Sequence, residues 1–203
     1  MSEDDSPTFP QAPPERIELP HGLALVRCDP ARAAAAVVAI NDSLEHLQPW
    51  MAWAAEPATE ASIGAFFAAS VELWERRKGF EYSIIEPSTD AVVGGSGLLG
   101  RIGPRGLEIG YWVHAGWIGR GVATAASRAL IDAAFALPGI ARIRIQCETA
   151  NVRSARVPEK LGFRFDGVAP GEGPCDGRPT QVWWLDRADW PSSTTPSGAS
   201  TSP

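Results

Sequence analysis

The sequence predicts an α/β domain on a mixed, mostly antiparallel sheet flanked by helices, and three observations predict it. Helical patterns dominate residues 29–78, a two-residue alternation takes over from Phe80 to His114, and strands alternate with helices after that. With 203 residues, 44% of them hydrophobic and 21% charged, the chain is long enough for one sizeable core. One domain is expected over 15–190. Unstructured segments are expected on both sides of it, because 1–14 carries four prolines behind an acidic start and 191–203 holds only Pro, Ser, Thr, Gly and Ala.

Ile17 to Arg27 reads as two short extended runs around the turn cluster Pro20-His21-Gly22. Asp29-Pro30 opens a helix: Asp accepts from the free first-turn amides, Pro gives up no needed donor there, and the Ala-rich run to Ile40 continues it. A second short helix is predicted over Ser43 to Trp53, and a third runs from the cap Thr59 to Lys78, before Gly79. Phe80 to Ile85 and Ala91 to Leu99 form a hairpin across Glu86-Pro87-Ser88-Thr89-Asp90, and Leu107 to His114 is a third strand. Val122, Ala126, Leu130, Ala133 and Leu137 recur at helical spacing. From Ile140 to Glu148, Ala141, Ile143, Ile145 and Cys147 take one face and Arg142, Arg144, Gln146 and Glu148 the other, a strand with one buried side. Ser154 to Leu161 is a short helix closed by Gly162, and Phe163 to Val168 and Thr180 to Leu185 are the last strands.

Composition narrows the function. Eighteen Lys+Arg against 24 Asp+Glu give a net charge of −6, opposite to the footprint of a nucleic-acid binder. Lys78 and Lys160 are the only lysines, so nearly all the positive charge is guanidinium, suited to fixed contacts with phosphate or carboxylate. Cys28, Cys147 and Cys175 form no CxxC pair, and His21, His46 and His114 do not cluster, so no metal is expected. The acidic start and the lack of an apolar run near the roughly 18 residues of a membrane span point to a reduced, cytoplasmic protein without a membrane partner.

Two glycine patterns stand out. Gly95-Ser96-Gly97-Leu98-Leu99-Gly100 spells GxGxxG, but Gly103-Pro104 follows and no helix can begin, so it reads as a glycine-rich strand with a bulge. Gly119-Arg120-Gly121-Val122-Ala123-Thr124 instead links a strand to an amphipathic helix, where free amides and the helix dipole can hold a diphosphate.

Glu108-Ile109-Gly110-Tyr111-Trp112-Val113 ahead of this loop, then Glu148-Thr149-Ala150-Asn151-Val152-Arg153-Ser154 ahead of Glu159-Lys160-Leu161-Gly162-Phe163, resembles the GNAT acyl-CoA transferase superfamily. The resemblance is closest to its branch of ribosomal-protein alanine N-acetyltransferases, which Ser43-Leu44-Glu45-His46-Leu47-Gln48-Pro49-Trp50-Met51 and the closing Asp176-Gly177-Arg178 and Asp189-Trp190 also resemble. It implies a central sheet splayed at a bulge, with the acetyl-CoA arm in the gap along Tyr111, Trp112 and Val113. The Val113 amide would hold the developing oxyanion. Gly119, Arg120, Gly121, Val122, Ala123 and Thr124 would bind the diphosphate, although Ile118 stands where the family carries a polar side chain. Asn151 and Ser154 match the family's N-x-x-S, which contacts the pantetheine arm or sulfur; Asn151 is equally a helix cap.

The resemblance departs at two further places. Pro158 replaces the tyrosine that protonates the leaving thiolate in many relatives, leaving Ser154 as proton donor or sulfur partner. Gln146 stands where some relatives carry a base. Glu108 is then the candidate base, with Glu148 second and His114 a further substitute; a solvated strand acid, or an ion pair with Arg142 or Arg144, is the alternative use of either acid. Trp50-Met51-Ala52-Trp53 is placed along the acceptor cleft. The implied activity is acetyl transfer from acetyl-CoA to a primary amine by direct attack in a ternary complex. The foremost acceptor is a protein or peptide N-terminal α-amine, whose pKa of about 7.7–8.0 demands less of a base than a lysine near 10.4. A small-molecule or antibiotic amine is the alternative acceptor, and a non-catalytic acyl-CoA-binding module the rival of another class. Pairing into a homodimer is a further expectation.

Overall fold

The computed structural model describes residues 7–170 and 177–191. One eight-stranded sheet forms its centre, in the order β1-β2-β3-β4-β5-β6-β8-β7. The strands are β1 (Arg16–Glu18), β2 (Ala24–Arg27), β3 (Gly79–Glu86), β4 (Ala91–Leu99), β5 (Gly106–Val113), β6 (Arg142–Glu148), β7 (Arg164–Pro170) and β8 (Pro179–Asp186). The helices are α1 (Ala33–Asn41), α2 (Leu44–Leu47), α3 (Glu60–Glu75), α4 (Val122–Ala136) and α5 (Val152–Lys160). All neighbouring strands are antiparallel except β5 and β6, which run parallel because α4 carries the chain back between them. The mixed, mostly antiparallel class is the one the pattern of periods predicts.

Local chemistry sets the helix starts. Asp29 accepts from the Ala31 amide, and Thr59 and Ser62 form a reciprocal capping box at α3. The helix expected over Ser43 to Trp53 is broken. Its α2 ends at Leu47, Pro49 offers no N–H to continue the ladder, and Met51 is extended before a single 3-10 turn at Ala52–Ala54.

Buried side chains fall into two clusters on the two faces of the sheet. Tyr82, Ile84, Leu98 and Ile109 pack with Val122, Ala126 and Leu130 of α4, while Ile85 and Val92 pack with Ile40 of α1 and Ile63 and Phe67 of α3. β6 departs from the expectation of one solvated face, since Arg144 is only 9% exposed. The β5–β6 pairing stops at Ile109–Ile145. Beyond it Gly110 to Val113 stay with β4 and Gln146 to Glu148 with β8, so the central strands part. The bulge expected at this parting lies elsewhere: the ladders of β5 run in unbroken register, and the shifts fall between β3 and β4, where Val93 is the extra residue, and between β7 and β8, where Asp166 is. β6 leaves because β8 holds it, not because β5 carries an added residue.

The arm expected to be unstructured over 1–14 joins the fold in its described part. Phe9 is 1% exposed and packs on Phe80, its amide bonds the Arg77 carbonyl, and the Tyr82 hydroxyl donates to the Pro14 carbonyl at 2.8 Å. A single aromatic anchor with backbone pairing offsets the ordering cost of a short polar segment, which a composition count does not register. Phe9→Ala is expected to cost about 3 kcal/mol in urea unfolding. The unstructured tail expected over 191–203 lies outside the described residues from 192 on, and Cys175 and Asp176 lie outside them too. No helix among the described residues is long and apolar enough to cross a membrane.

Candidate functional site

Two cavities meet where β5 and β6 part. The first, about 560 Å³, runs from the start of α4 to α5 and is lined by Ile118, Gly119, Gly121, Val122, Ala123 and Thr124. Gly119 (φ 78°) and Gly121 (φ 79°) are both left-handed, a conformation that costs other residues about 1 kcal/mol or more. Gly121 occupies the cap position of α4 and supplies no capping side chain, so the first-turn amides are left for a ligand. Arg120 does not line this cavity; its guanidinium lies 4.9 Å over the Trp117 ring. The cations that do line it come from α5: Arg153, Arg156 and Lys160, on one helix face by their spacing of three and four. Sequence reasoning passed over this stripe although the spacing was there to read. His46 of α2 also lines it, with its pKa lowered by burial and by the charge of Arg153.

The slot between the strands presents backbone donors. The His114 amide donates to the Val93 carbonyl at 2.9 Å on the β4 side. Amides alternate in direction along a strand, so those of Val113 and Tyr111 point toward the side β6 has left. His114 itself caps a turn: its Nδ1 accepts from the Gly116 amide at 3.0 Å.

Tyr111, Trp112, Asn151 and Ser154 line both cavities and mark the junction. Asn151 caps α5 by accepting from the Ser154 amide, at 3.1 Å. A phenol from another element stands beside Ser154. Pro158 has no N–H for the Ser154 carbonyl four residues earlier, and that carbonyl accepts from the Tyr111 hydroxyl at 3.1 Å, with Ser154 Oγ 2.9 Å from the same oxygen. Burial pushes the Tyr111 pKa up, against the lowering effect of its Ser154 hydrogen bond, so the phenol holds its proton at neutral pH.

The second cavity, about 550 Å³, lies between the sheet and α1 and α3. Trp50, Met51 and Trp53 line it, as do Ile63, Phe66 and Phe67. Among its carboxylates, Glu108 is 7% exposed: Oε2 is 2.6 Å from Arg144 Nη2 and Oε1 accepts from Arg101 at 3.2 Å. The ion pair weighed as the alternative to a base at Glu108 is therefore present, with Arg144. Arg178 Nη1 lies 2.8 Å from Glu148 Oε1 as an ion pair, without the alignment of a hydrogen bond. Glu81 of β3, which sequence reasoning did not single out, also lines the cavity, and burial raises its pKa against the opposing charge of Arg101. Among the described residues no group of His, Cys, Asp and Glu could hold a metal ion.

Comparison with known proteins agrees with this geometry. The acetyltransferase (GNAT) domain family matches residues 23–164. The putative ribosomal N-acetyltransferase YdaF of Bacillus subtilis (strain 168) is 42% identical over 65 residues, 32% of this chain and 36% of that protein. The chain thus matches little more than a third of that curated relative's length. Among solved structures, RimL, a ribosomal α-N-protein acetyltransferase in complex with coenzyme A, superposes with a TM-score of 0.77 at 19% identity, covering 86% of this chain and 99% of that one. The microcin self-immunity acetyltransferase MccE, in complex with acetyl-CoA and AMP, gives 0.77 at 21% identity over 85% and 97%. At these identities the two structures establish a shared fold.

Proposed function

Because the chain belongs to the acetyltransferase (GNAT) domain family, we propose that it transfers an acetyl group from acetyl-CoA to a primary amine by direct attack in a ternary complex. The parting of β5 from β6 carries this reading: it opens a slot for the thioester arm where a cofactor cleft meets an acceptor cavity. In the cleft, amides of the first turn of α4 hold the diphosphate, and Arg153, Arg156 and Lys160 supply the charge that Ile118 does not. The pantetheine arm lies along Tyr111, Trp112 and Val113 with Asn151 and Ser154 across from it.

Chemistry follows from position. The Val113 amide, directed into the slot, stabilises the oxyanion, a role worth about 3 kcal/mol per donor. Ser154 and Tyr111 form a hydroxyl pair able to protonate the departing thiolate. The double variant Tyr111→Phe/Ser154→Ala is expected to lower kcat about 100-fold with acetyl-CoA affinity retained, as measured by single-turnover kinetics. Glu108, holding two guanidinium groups, could take a proton only by breaking a buried ion pair, so we assign it to positioning.

A protein or peptide α-amine remains the foremost acceptor, supported by the kinship to ribosomal N-acetyltransferases. The largely apolar lining of the acceptor cavity favours a second reading, a small-molecule amine. Buried thiols at Cys28 and Cys147 outside any disulfide suit a cytoplasmic setting. Thiol release from acetyl-CoA with a panel of peptide and small amines tests the proposal. Turnover with at least one amine is expected; tight cofactor binding without turnover would instead establish a binding module.

A further inference from the structure

The Gly95-Ser96-Gly97 run has no part in the cofactor cleft, and its place in the sheet explains it. Glu81 pairs across the sheet with Gly97, and Gly97 with Gly110, so all three share one face. Gly110 directly follows Ile109, the last β5 residue paired with β6, so this row ends where the strands part. Because Gly97 has no side chain, the Glu81 carboxylate lies flat across it, and a Cβ at 97 would collide with Oε2. Two residues along β4, about 7 Å away, the Trp112 indole covers Gly95 in the same manner, with Nε1 2.5 Å from where a Cβ would stand. Trp112 is met edge-on by Trp53 at 6.2 Å. The missing side chains at Gly97 and Gly95 let a carboxylate and an indole lie side by side on the wall of the acceptor cavity, which Glu81 and Trp112 both line, and these are the two groups that best hold a cation.

Elimination among the acids points the same way. Of the carboxylates lining this cavity, Glu108 is held by Arg144 and Arg101, Glu148 is paired with Arg178, and Glu56 is exposed. Glu81 has no ion pair at contact distance among the described residues. The charged or titratable groups that share the cavity wall with it are Arg101, Glu56, Glu108 and Glu148, the Cys28 and Cys147 thiols and the Tyr82 and Tyr111 phenols, while α1 and α3 contribute Ala36, Ile40, Ser62, Ile63, Phe66 and Phe67, all uncharged.

We propose that Glu81 binds the acceptor's ammonium against the Trp112 indole and takes its proton, in a cavity shaped for a primary amine attached to an apolar or aromatic group. The step rests on the acetyltransferase reading above and balances as follows. The ammonium gives one proton to the Glu81 carboxylate, and the freed lone pair attacks the thioester carbon. The C–S bond breaks as the N–C bond forms, and the nitrogen's second proton passes to the thiolate through the Tyr111–Ser154 hydroxyls. Glu81 returns its proton to solvent when the products leave. Burial that raises the carboxyl's pKa brings it closer to that of the amine it must deprotonate.

Glu81→Gln tests this, with two probes in the full chain: a peptide amide led by phenylalanine, whose α-amine has a pKa of about 8, and 2-phenylethylamine, closer to the lysine value of about 10.4. At pH 7 the variant is expected to lose about 100-fold or more in kcat/KM, more with 2-phenylethylamine, with acetyl-CoA affinity within twofold of the parent. The parent's kcat/KM is expected to be bell-shaped, with its acid limb set by Glu81 and its alkaline limb by the amine. The variant's should only rise with pH, following the free amine. Gly97→Ala, which displaces the carboxylate without removing it, should give the same loss. A folded Glu81→Gln enzyme with the parent's rate and bell-shaped profile overturns the assignment and leaves the transferase reading intact. A parent protein that binds acetyl-CoA yet acetylates no amine overturns that reading, and this assignment with it.

Discussion

Gly121→Glu is expected to weaken coenzyme A binding by at least 100-fold, about 2.7 kcal/mol, while the protein stays folded. The position caps α4 with φ 79° and no side-chain cap, and a Cβ there meets open space, so the backbone strain is the main folding cost. A carboxylate at a helix start bonds the first-turn amides itself. It would therefore occupy the donors meant for the diphosphate and repel that anion as well. Gly121→Ala separates the two effects, since it carries the strain without the charge and should lose less than tenfold in affinity. Isothermal titration with coenzyme A measures both. Unchanged affinity in Gly121→Glu would show that the diphosphate is held elsewhere.

The second large effect is expected at Glu108. Glu108→Gln removes the carboxylate that lies 2.6 Å from the Arg144 guanidinium, whose side chain is 10% exposed. Removing one partner of a buried pair costs about 3–5 kcal/mol because the remaining charge stays desolvated. For a domain of this size that is a fall in Tm of about 6–15 °C. Replacing both partners with apolar residues, as in Glu108→Leu/Arg144→Met, should recover most of the loss, which calorimetry can follow. The same variant decides between the two uses of this acid. A stable Glu108→Gln protein with kcat reduced about 1000-fold at neutral pH would return the role of base to Glu108.

Much of the site's cofactor half was legible in the chain alone. Gly119 and Gly121 announce a left-handed entry to an amphipathic helix, and Asn151 announces a cap, because turn and cap chemistry act over three or four residues. The α5 stripe of Arg153, Arg156 and Lys160 is legible by the same rule of spacing, since residues three and four apart share a helix face. Pro158 could be read as a missing phenol, but not as the vacancy that lets the Ser154 carbonyl accept from Tyr111, since the two residues meet only across β5 and α5.

The acceptor half was illegible for a related reason. Glu81 looks like any polar residue of an alternating strand until the register sets it opposite Gly97 and, through that, on a line to Gly110. Phe9 likewise looked like part of a polar arm until Phe80 received it.

Taken by itself, the chain determines most of its elements, the start of α4, the cap of α5 and the mixed class of its sheet, all of which follow from periodicity and backbone preferences within a few residues. Tertiary structure alone decided where β5 and β6 stop pairing, which acid is neutralised by Arg144 and which is left facing the cavity. Those outcomes depend on strand register and burial, and a carboxylate's chemistry is set by the neighbours that folding brings to it from distant segments.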